Sequence, residues 1–91
     1  MTLRYRRHPD LRLTALEGEG VVLHLGTRRY FSVNESGLAI LEALKSPRTV
    51  DELVSALCER YDVTADWAEA TVRAFLARCR DADVLLAESG S

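Results

Sequence analysis

The sequence predicts an α+β domain in which a three-stranded antiparallel sheet is followed by a three-helix bundle. Two observations support this fold class. Residues 11–33 alternate apolar with polar side chains and contain two short glycine-bearing turns, which is typical of successive hairpins. Residues 35–80 instead carry apolar side chains at helical spacing, and a capping residue precedes each helical segment.

The three strands are predicted at residues 11–15, 21–25 and 29–33. In the second strand, Val21, Leu23 and Leu25 share one face and His24 points outward, because successive side chains of a strand alternate between its faces. Two short connections in sequence favour a meander in the order of the chain. The third strand would then lie at an edge of the sheet.

The three helices are predicted at residues 35–45, 50–61 and 65–80. Asn34 is the expected N-cap of the first helix, Thr49 and Glu52 form a capping box for the second, and Thr64 caps the third. Gly37, in the first turn of the first helix, suggests that another element packs closely there, and the alternative is a glycine that the helix merely tolerates.

The third helix carries two neighbouring stripes. The core stripe consists of Ala68, Val72, Phe75, Leu76 and Cys79. The second stripe consists of Trp67, Ala70, Thr71, Ala74 and Arg78. Small residues beside an aromatic residue are expected to line a groove, and the alternative for Trp67 is a partly buried core position.

Length and composition indicate one domain, since 91 residues with 47% hydrophobic content suffice for a single core. Residues 1–9 are expected to form a flexible arm, residues 10–86 the domain and residues 87–91 a flexible tail. No apolar run approaches the ~20 residues of a membrane helix. Cys58 and Cys79 lack metal-type spacing and are expected to be buried free thiols, so we expect a cytoplasmic protein without a membrane partner.

The motifs of catalysis are absent from the sequence. There is no phosphate-binding or dinucleotide-binding loop and no nucleophile motif, and His8 and His24 lack the spacing of a metal site. We therefore expect no enzyme activity, no metal and no cofactor. Residues 34–91 hold six basic against eleven acidic residues, so the helical half lacks the positive footprint of a nucleic-acid-binding protein.

The predicted edge strand suggests a binding function. Its free N–H and C=O groups can pair with an added strand, so the residues favour a peptide-binding module.

Four segments together resemble the PqqD family, the small peptide chaperones also called RiPP recognition elements. They are YFSVN (30–34) followed by Gly37, RTVDEL (48–53), YDV (61–63) and VRAFL (72–76). The resemblance covers about residues 10–86. It implies a winged-helix-like fold that binds the leader segment of a ribosomally synthesised precursor peptide beside the third strand and against the third helix.

The resemblance further implies delivery of the precursor to a leader peptidase and a macrocyclase, as in lasso-peptide biosynthesis. The peptide-binding residues that it implies, together with the two surfaces described above, are Arg28, Arg29, Tyr30, Phe31, Ser32, Val33, Trp67, Ala70, Thr71, Arg73, Ala74 and Arg78. Two alternatives stay open: a winged-helix DNA-binding regulator, and an adaptor that docks another protein through the third helix. Weak dimerisation through the free strand edge is a further expectation.

Overall fold

The computed structural model describes residues 2–90, which form five strands and three helices. In chain order these are β1 (Thr2–Arg7), β2 (Leu11–Leu16), β3 (Glu19–His24), β4 (Arg29–Asn34), α1 (Glu35–Ala43), α2 (Val50–Arg60), α3 (Ala65–Asp81) and β5 (Leu85–Gly90). Strands β2, β3 and β4 form an antiparallel sheet in that order, whereas β1 pairs with β5 in a separate antiparallel sheet. The α+β class and the three-stranded meander are thus confirmed.

Strand β3 begins two residues earlier than the sequence predicts. Gly18 has a φ of 73°, in the left-handed region that glycine adopts without strain, and forms a two-residue turn with Glu17. Leu16 therefore pairs with Glu19, and Gly20 is a strand residue rather than a turn residue.

The face of β3 that meets the helices is opposite to the predicted one. Gly20, Val22 and His24 are buried, whereas Leu23 is exposed. A Cβ at Gly20 would lie 2.7 Å from Leu38 Cδ1, so α1 packs closely on β3 at this glycine and a larger residue would have to move the end of the leucine side chain. Leu38 lies on this face of β3, and the prediction that His24 points outward is wrong.

The predicted helix starts are confirmed. The side chain of Asn34 accepts a hydrogen bond from the Gly37 N–H at 2.9 Å. Thr49 and Glu52 form the complete capping box, with backbone-to-side-chain distances of 2.9 and 3.2 Å, and Thr64 caps α3. These bonds satisfy N–H groups that the first turn of a helix leaves without backbone partners.

The core lies between the meander and the three helices. The predicted core stripe of α3 is buried throughout, as expected. The most deeply buried large side chains are Ile40, Leu41, Leu44, Leu53, Leu57, Val22 and Val72. None of the helices within residues 2–90 is long and apolar enough to cross a membrane.

The predicted flexible arm and tail instead pair with each other. Strand β1 aligns antiparallel with β5, so that Tyr5 lies opposite Ala87. Tyr5 is only 8% exposed, and it exchanges two backbone hydrogen bonds with Arg48, at 2.7 and 2.9 Å. Burial of this ring and of Leu85 gives both ends a place in the core. Residues 1 and 91 of the predicted arm and tail lie outside the described residues.

Candidate functional site

An apolar cavity of about 320 Å³ opens between β4 and the C-terminal half of α3. Strands β3 and β4 form one wall, α1 contributes to the floor, and α3 with the turn that follows it forms the other wall. The lining residues are Val22, Phe31, Ser32, Val33, Leu41, Phe75, Arg78, Cys79, Asp81, Ala82 and Val84.

Strand β4 is an edge strand of the meander. Within the described residues it pairs with β3 on one side only. Phe31 and Val33 are half-buried and line the cavity, whereas the side chain of Tyr30, also on β4, is 75% exposed. The free main-chain groups therefore lie next to an apolar cavity, and an added strand would direct alternate side chains into it.

The opposite wall depends on close packing between α1 and α3. A Cβ at Gly37 would lie 2.8 Å from Cε1 of Phe75, so this ring rests against the glycine. The close packing predicted at Gly37 is thus confirmed. One turn further along α3, burial raises the pKa of Cys79 from its ordinary value of 9.0 to about 11, so the thiol stays protonated and behaves as an apolar wall group.

Four of the predicted peptide-binding residues line the cavity. They are Phe31, Ser32, Val33 and Arg78. The first three come from β4, and Arg78 is an exposed residue of α3. The predicted strand therefore lines this cavity, whereas the predicted helix stripe reaches it only at Arg78.

The other predicted residues lie outside it. Trp67 is 48% exposed and lines a separate shallow depression with Tyr61 and Val63. Arg73 faces Glu69 within α3, with Nε and Oε2 3.8 Å apart. Those that remain are exposed, apart from the half-buried Thr71: Arg28, Arg29, Tyr30, Ala70 and Ala74.

The sequence reasoning missed the deeper part of the cavity. Phe75 and Cys79 were assigned to the core alone, although they line the cavity as well. The apolar stripe of α3 has no feature that separates a residue packed against protein from one that faces an open cavity. Asp81, Ala82 and Val84 lie at the end of α3 and beyond it, where periodicity no longer applies.

A second cluster lies where the turn after β3 meets the turn after α3. His24 is 2% exposed, and its ring lies 4.5 Å from that of His8, between centroids. Nε2 of His24 is 3.8 Å from Oδ2 of Asp83. The two histidines, which lack metal-type spacing in the sequence, are therefore brought together by the fold.

This cluster does not suit a metal ion, although its three ligand atoms lie within 4.8 Å of one another. Nδ1 of His8 accepts a hydrogen bond from the Asp10 N–H, and Nδ1 of His24 accepts one from the Gly26 N–H, both at 3.1 Å. A histidine that binds a metal through one nitrogen normally donates a proton from the other. Here both second nitrogens are acceptors, which is the opposite arrangement.

Comparison with known proteins gives a family and a fold. A solved structure described as "TbiB1 in Complex with the TbiA(beta) Leader Peptide" matches with a TM-score of 0.77 and 27% identity over 94% of this chain and 98% of that one. Another, described as "Lasso peptide synthetase B1 complexed with the leader peptide", matches with a TM-score of 0.74 and 18% identity over 90% and 96% of the two chains. No curated protein matches the chain. The family model of coenzyme PQQ synthesis protein D (PqqD) matches residues 19–85, well over half of the sequence, and the chain therefore belongs to the PqqD family.

Proposed function

We propose that this chain binds the leader segment of a ribosomally synthesised precursor peptide. The leader adds to the free edge of β4 as a further strand and places alternate apolar side chains in the cavity. The observation that carries this proposal is the free edge of an exposed strand beside an apolar cavity of about 320 Å³. The likeness, over nearly the whole chain, to a protein solved with its leader peptide supports it.

The two parts of the site contribute differently. Pairing with β4 uses main-chain groups and tolerates many leader sequences, whereas the cavity selects apolar side chains. Arg78 and Asp81 at the rim add charge selectivity, although exposed ion pairs contribute only ~0.2–1 kcal/mol each. We expect dissociation constants between ~1 µM and tens of nM, which correspond to binding free energies on the order of 8–10 kcal/mol.

We further propose that the chain is a binding partner of enzymes and not itself a catalyst. It delivers the bound precursor to a leader peptidase and a macrocyclase, as in lasso-peptide biosynthesis. The binding site lies within residues 10–86. Cys58 and Cys79 are free thiols, which fits function in the reducing cytoplasm. Without peptide, two copies pair weakly through the same β4 edge.

A titration of the ¹⁵N-labelled protein with a leader peptide from the neighbouring precursor gene tests the proposal. We expect shifts on residues 29–33 and on the cavity wall of α3, including Arg78 and Cys79. A peptide of the same composition with its apolar residues scrambled is the matched control, because it keeps charge and length. Absence of shifts with the true leader at saturating concentration would refute leader binding for that precursor.

The same titration separates the alternatives. Shifts confined to the exposed face of α3 around Trp67, with β4 unaffected, would indicate an adaptor that docks through the helix. Binding of a DNA duplex that weakens steeply with added salt would indicate a regulator. The ion pair between Arg73 and Glu69 on the exposed face of α3 does not favour contact with phosphate groups.

A further inference from the structure

We infer that His24 is a positioning residue for the proposed leader site and holds the two walls of the cavity, one with each ring nitrogen. This inference rests on the proposed function, because it assigns His24 a role in shaping the cavity in which the leader side chains lie. His24 itself does not line the cavity.

The first nitrogen holds the turn that leads into β4. Nδ1 of His24 accepts hydrogen bonds from the N–H groups of Gly26 and Thr27, at 3.1 and 3.3 Å. The His24 carbonyl accepts a third from the Arg28 N–H at 2.7 Å, and Arg28 has a left-handed φ of 61°. Since β4 begins at the next residue, Arg29, this turn sets the direction in which the edge strand leaves β3.

Gly26 fits the same arrangement. A Cβ at this position would lie 3.0 Å from Cε1 of His24 and 3.2 Å from Oδ2 of Asp10. The turn therefore folds tightly over the imidazole ring, and a larger residue would have to displace either the ring or the carboxylate.

The second nitrogen faces the turn after α3. Because Nδ1 accepts hydrogen bonds, the proton of a neutral ring lies on Nε2. Within the described residues this buried Nε2 has no hydrogen-bond partner, and Oδ2 of Asp83 lies 3.8 Å from it. This distance is longer than a hydrogen bond, so the buried N–H faces the carboxylate as its nearest acidic group without bonding to it.

Asp83 occupies a position where the backbone favours glycine. Its φ is 59°, and the bonds from Val84 N–H to the Cys79 carbonyl (2.9 Å) and from Asp83 N–H to the Arg80 carbonyl (3.1 Å) form a Schellman-type helix end. Aspartate adopts this conformation more readily than most non-glycine residues, and it places the carboxylate of Asp83 opposite Nε2 of His24.

This turn forms part of the cavity. Asp81, Ala82 and Val84 on either side of Asp83 all line it. Movement of the turn would therefore change the wall against which leader side chains pack. His24 thus joins the β4 side of the cavity to the α3 side, through one side chain at their common end.

Two substitutions separate the two nitrogens. His24→Asn places an amide oxygen near the Nδ1 position, so it keeps the acceptor for the Gly26 N–H but does not reach Asp83. His24→Gln places an amide N–H near the Nε2 position, so it keeps a donor for Asp83 but loses the acceptor for the turn. Each variant therefore releases one wall and retains the other.

Amide shifts and thiol alkylation of the free protein give the first readout. In His24→Asn we expect shifts around Ala82 and Val84 and on the order of tenfold faster alkylation of Cys79, with β4 unchanged. In His24→Gln we expect shifts along β4 and unchanged alkylation of Cys79. Cys58 on α2 is the internal reference, because it lies outside the cavity.

Leader affinity gives the second readout, and each variant should bind on the order of tenfold more weakly than wild type. If both variants give the same shifts, spread over the whole core, His24 only fills space and the inference is wrong. If either variant fails to fold, Asp83→Gly and Asp83→Asn test the second contact alone. Asp83→Gly, which loses the acceptor, should speed alkylation of Cys79, whereas Asp83→Asn, which keeps one, should not; equal rates would overturn this contact.

The readouts on the free protein require no leader. Failure of the inference therefore shows as unchanged shifts and unchanged Cys79 reactivity in the variants. Failure of the proposed function shows instead as a wild-type protein that does not bind leader.

Discussion

Replacement of Gly37 by alanine tests the contact that shapes the α3 wall of the cavity. The added methyl carbon would lie 2.8 Å from Phe75 Cε1 and 3.2 Å from Asn34 Oδ1. Two effects oppose each other. Alanine favours a helix over glycine by about 1 kcal/mol, whereas overpacking of a core costs about 1–3 kcal/mol.

Overpacking should prevail in this case. The methyl group meets the ring of Phe75, which is 8% exposed and cannot swing into solvent as the end of a flexible side chain can. We expect the free energy of unfolding to fall by about 1 kcal/mol and Tm by about 4–8 °C. Because Phe75 lines the cavity, its displacement should also weaken leader binding, by about tenfold.

A double-mutant cycle with Phe75→Leu makes this prediction sharp. Without the ring, the methyl group at residue 37 meets less resistance, so Gly37→Ala should be neutral or stabilising in the Phe75→Leu background. Urea unfolding of the four proteins gives the coupling free energy, and calorimetric titration with leader gives the affinities. An increase in Tm for Gly37→Ala in the wild-type background, or an equal effect in both backgrounds, would refute the reasoning.

Four further predictions concern stability and binding. Phe31→Ala should lower the free energy of unfolding by about 2 kcal/mol in urea, less than the ~3–5 kcal/mol of a fully buried ring because Phe31 is half-buried, and an unchanged Tm would remove it from the core. Ala82→Glu places a charge in the cavity wall and should weaken leader binding at least tenfold, as measured by calorimetry. Ala74→Glu, on the exposed face of α3, should weaken it by only about threefold. Equal losses in the two variants would mean that the leader also lies along the exposed face of α3. Thr49→Ala removes the capping box and should cost about 1 kcal/mol in thermal unfolding without changing leader affinity, and a loss of affinity would contradict its purely local role. Burial raises the pKa of Cys79 from 9.0 to about 11, so the unfolded chain loses this proton at a lower pH than the folded protein does. The free energy of unfolding should therefore fall between pH 9 and 11. In urea titrations, Cys79→Ala should show a smaller fall over the same pH range.

The helices could be predicted from the sequence because their starts depend on neighbours three residues apart. Asn34, Thr49 and Thr64 cap the helices as expected, since the backbone donor that each satisfies lies in the same turn. The core stripe of α3 follows from the 3.6-residue period in the same way. Local chemistry decides these features, and the local sequence contains it.

The order of β2, β3 and β4 was predicted from their short connections, whereas the features of the strands that depend on distant partners were not. The inward face of β3 is the one on which Leu38 of α1 lies against Gly20, and alternation alone does not say which of two apolar faces is covered. The pairing of β1 with β5 joins segments more than 75 residues apart, and neither segment alone identifies the other as its partner. The burial of His24 was missed because the inward face of β3 was predicted wrongly. Its approach to His8 and Asp83 depends on contacts between segments that are far apart in the sequence.

The proposed binding of a leader would require both the edge and the cavity, for energetic reasons. Each hydrogen bond to β4 contributes ~0.5–1.5 kcal/mol net, whereas ordering each leader residue costs ~1–2 kcal/mol in backbone entropy. Only every second residue of an added strand pairs with β4, and it does so through two hydrogen bonds. Two leader residues therefore gain ~1–3 kcal/mol and lose ~2–4 kcal/mol, so pairing with β4 alone does not offset its own ordering cost. Each apolar side chain that enters the cavity adds ~1.5–3 kcal/mol. The net affinity must therefore come from the cavity, so substitutions in its walls should weaken binding more than substitutions of the exposed arginines near β4.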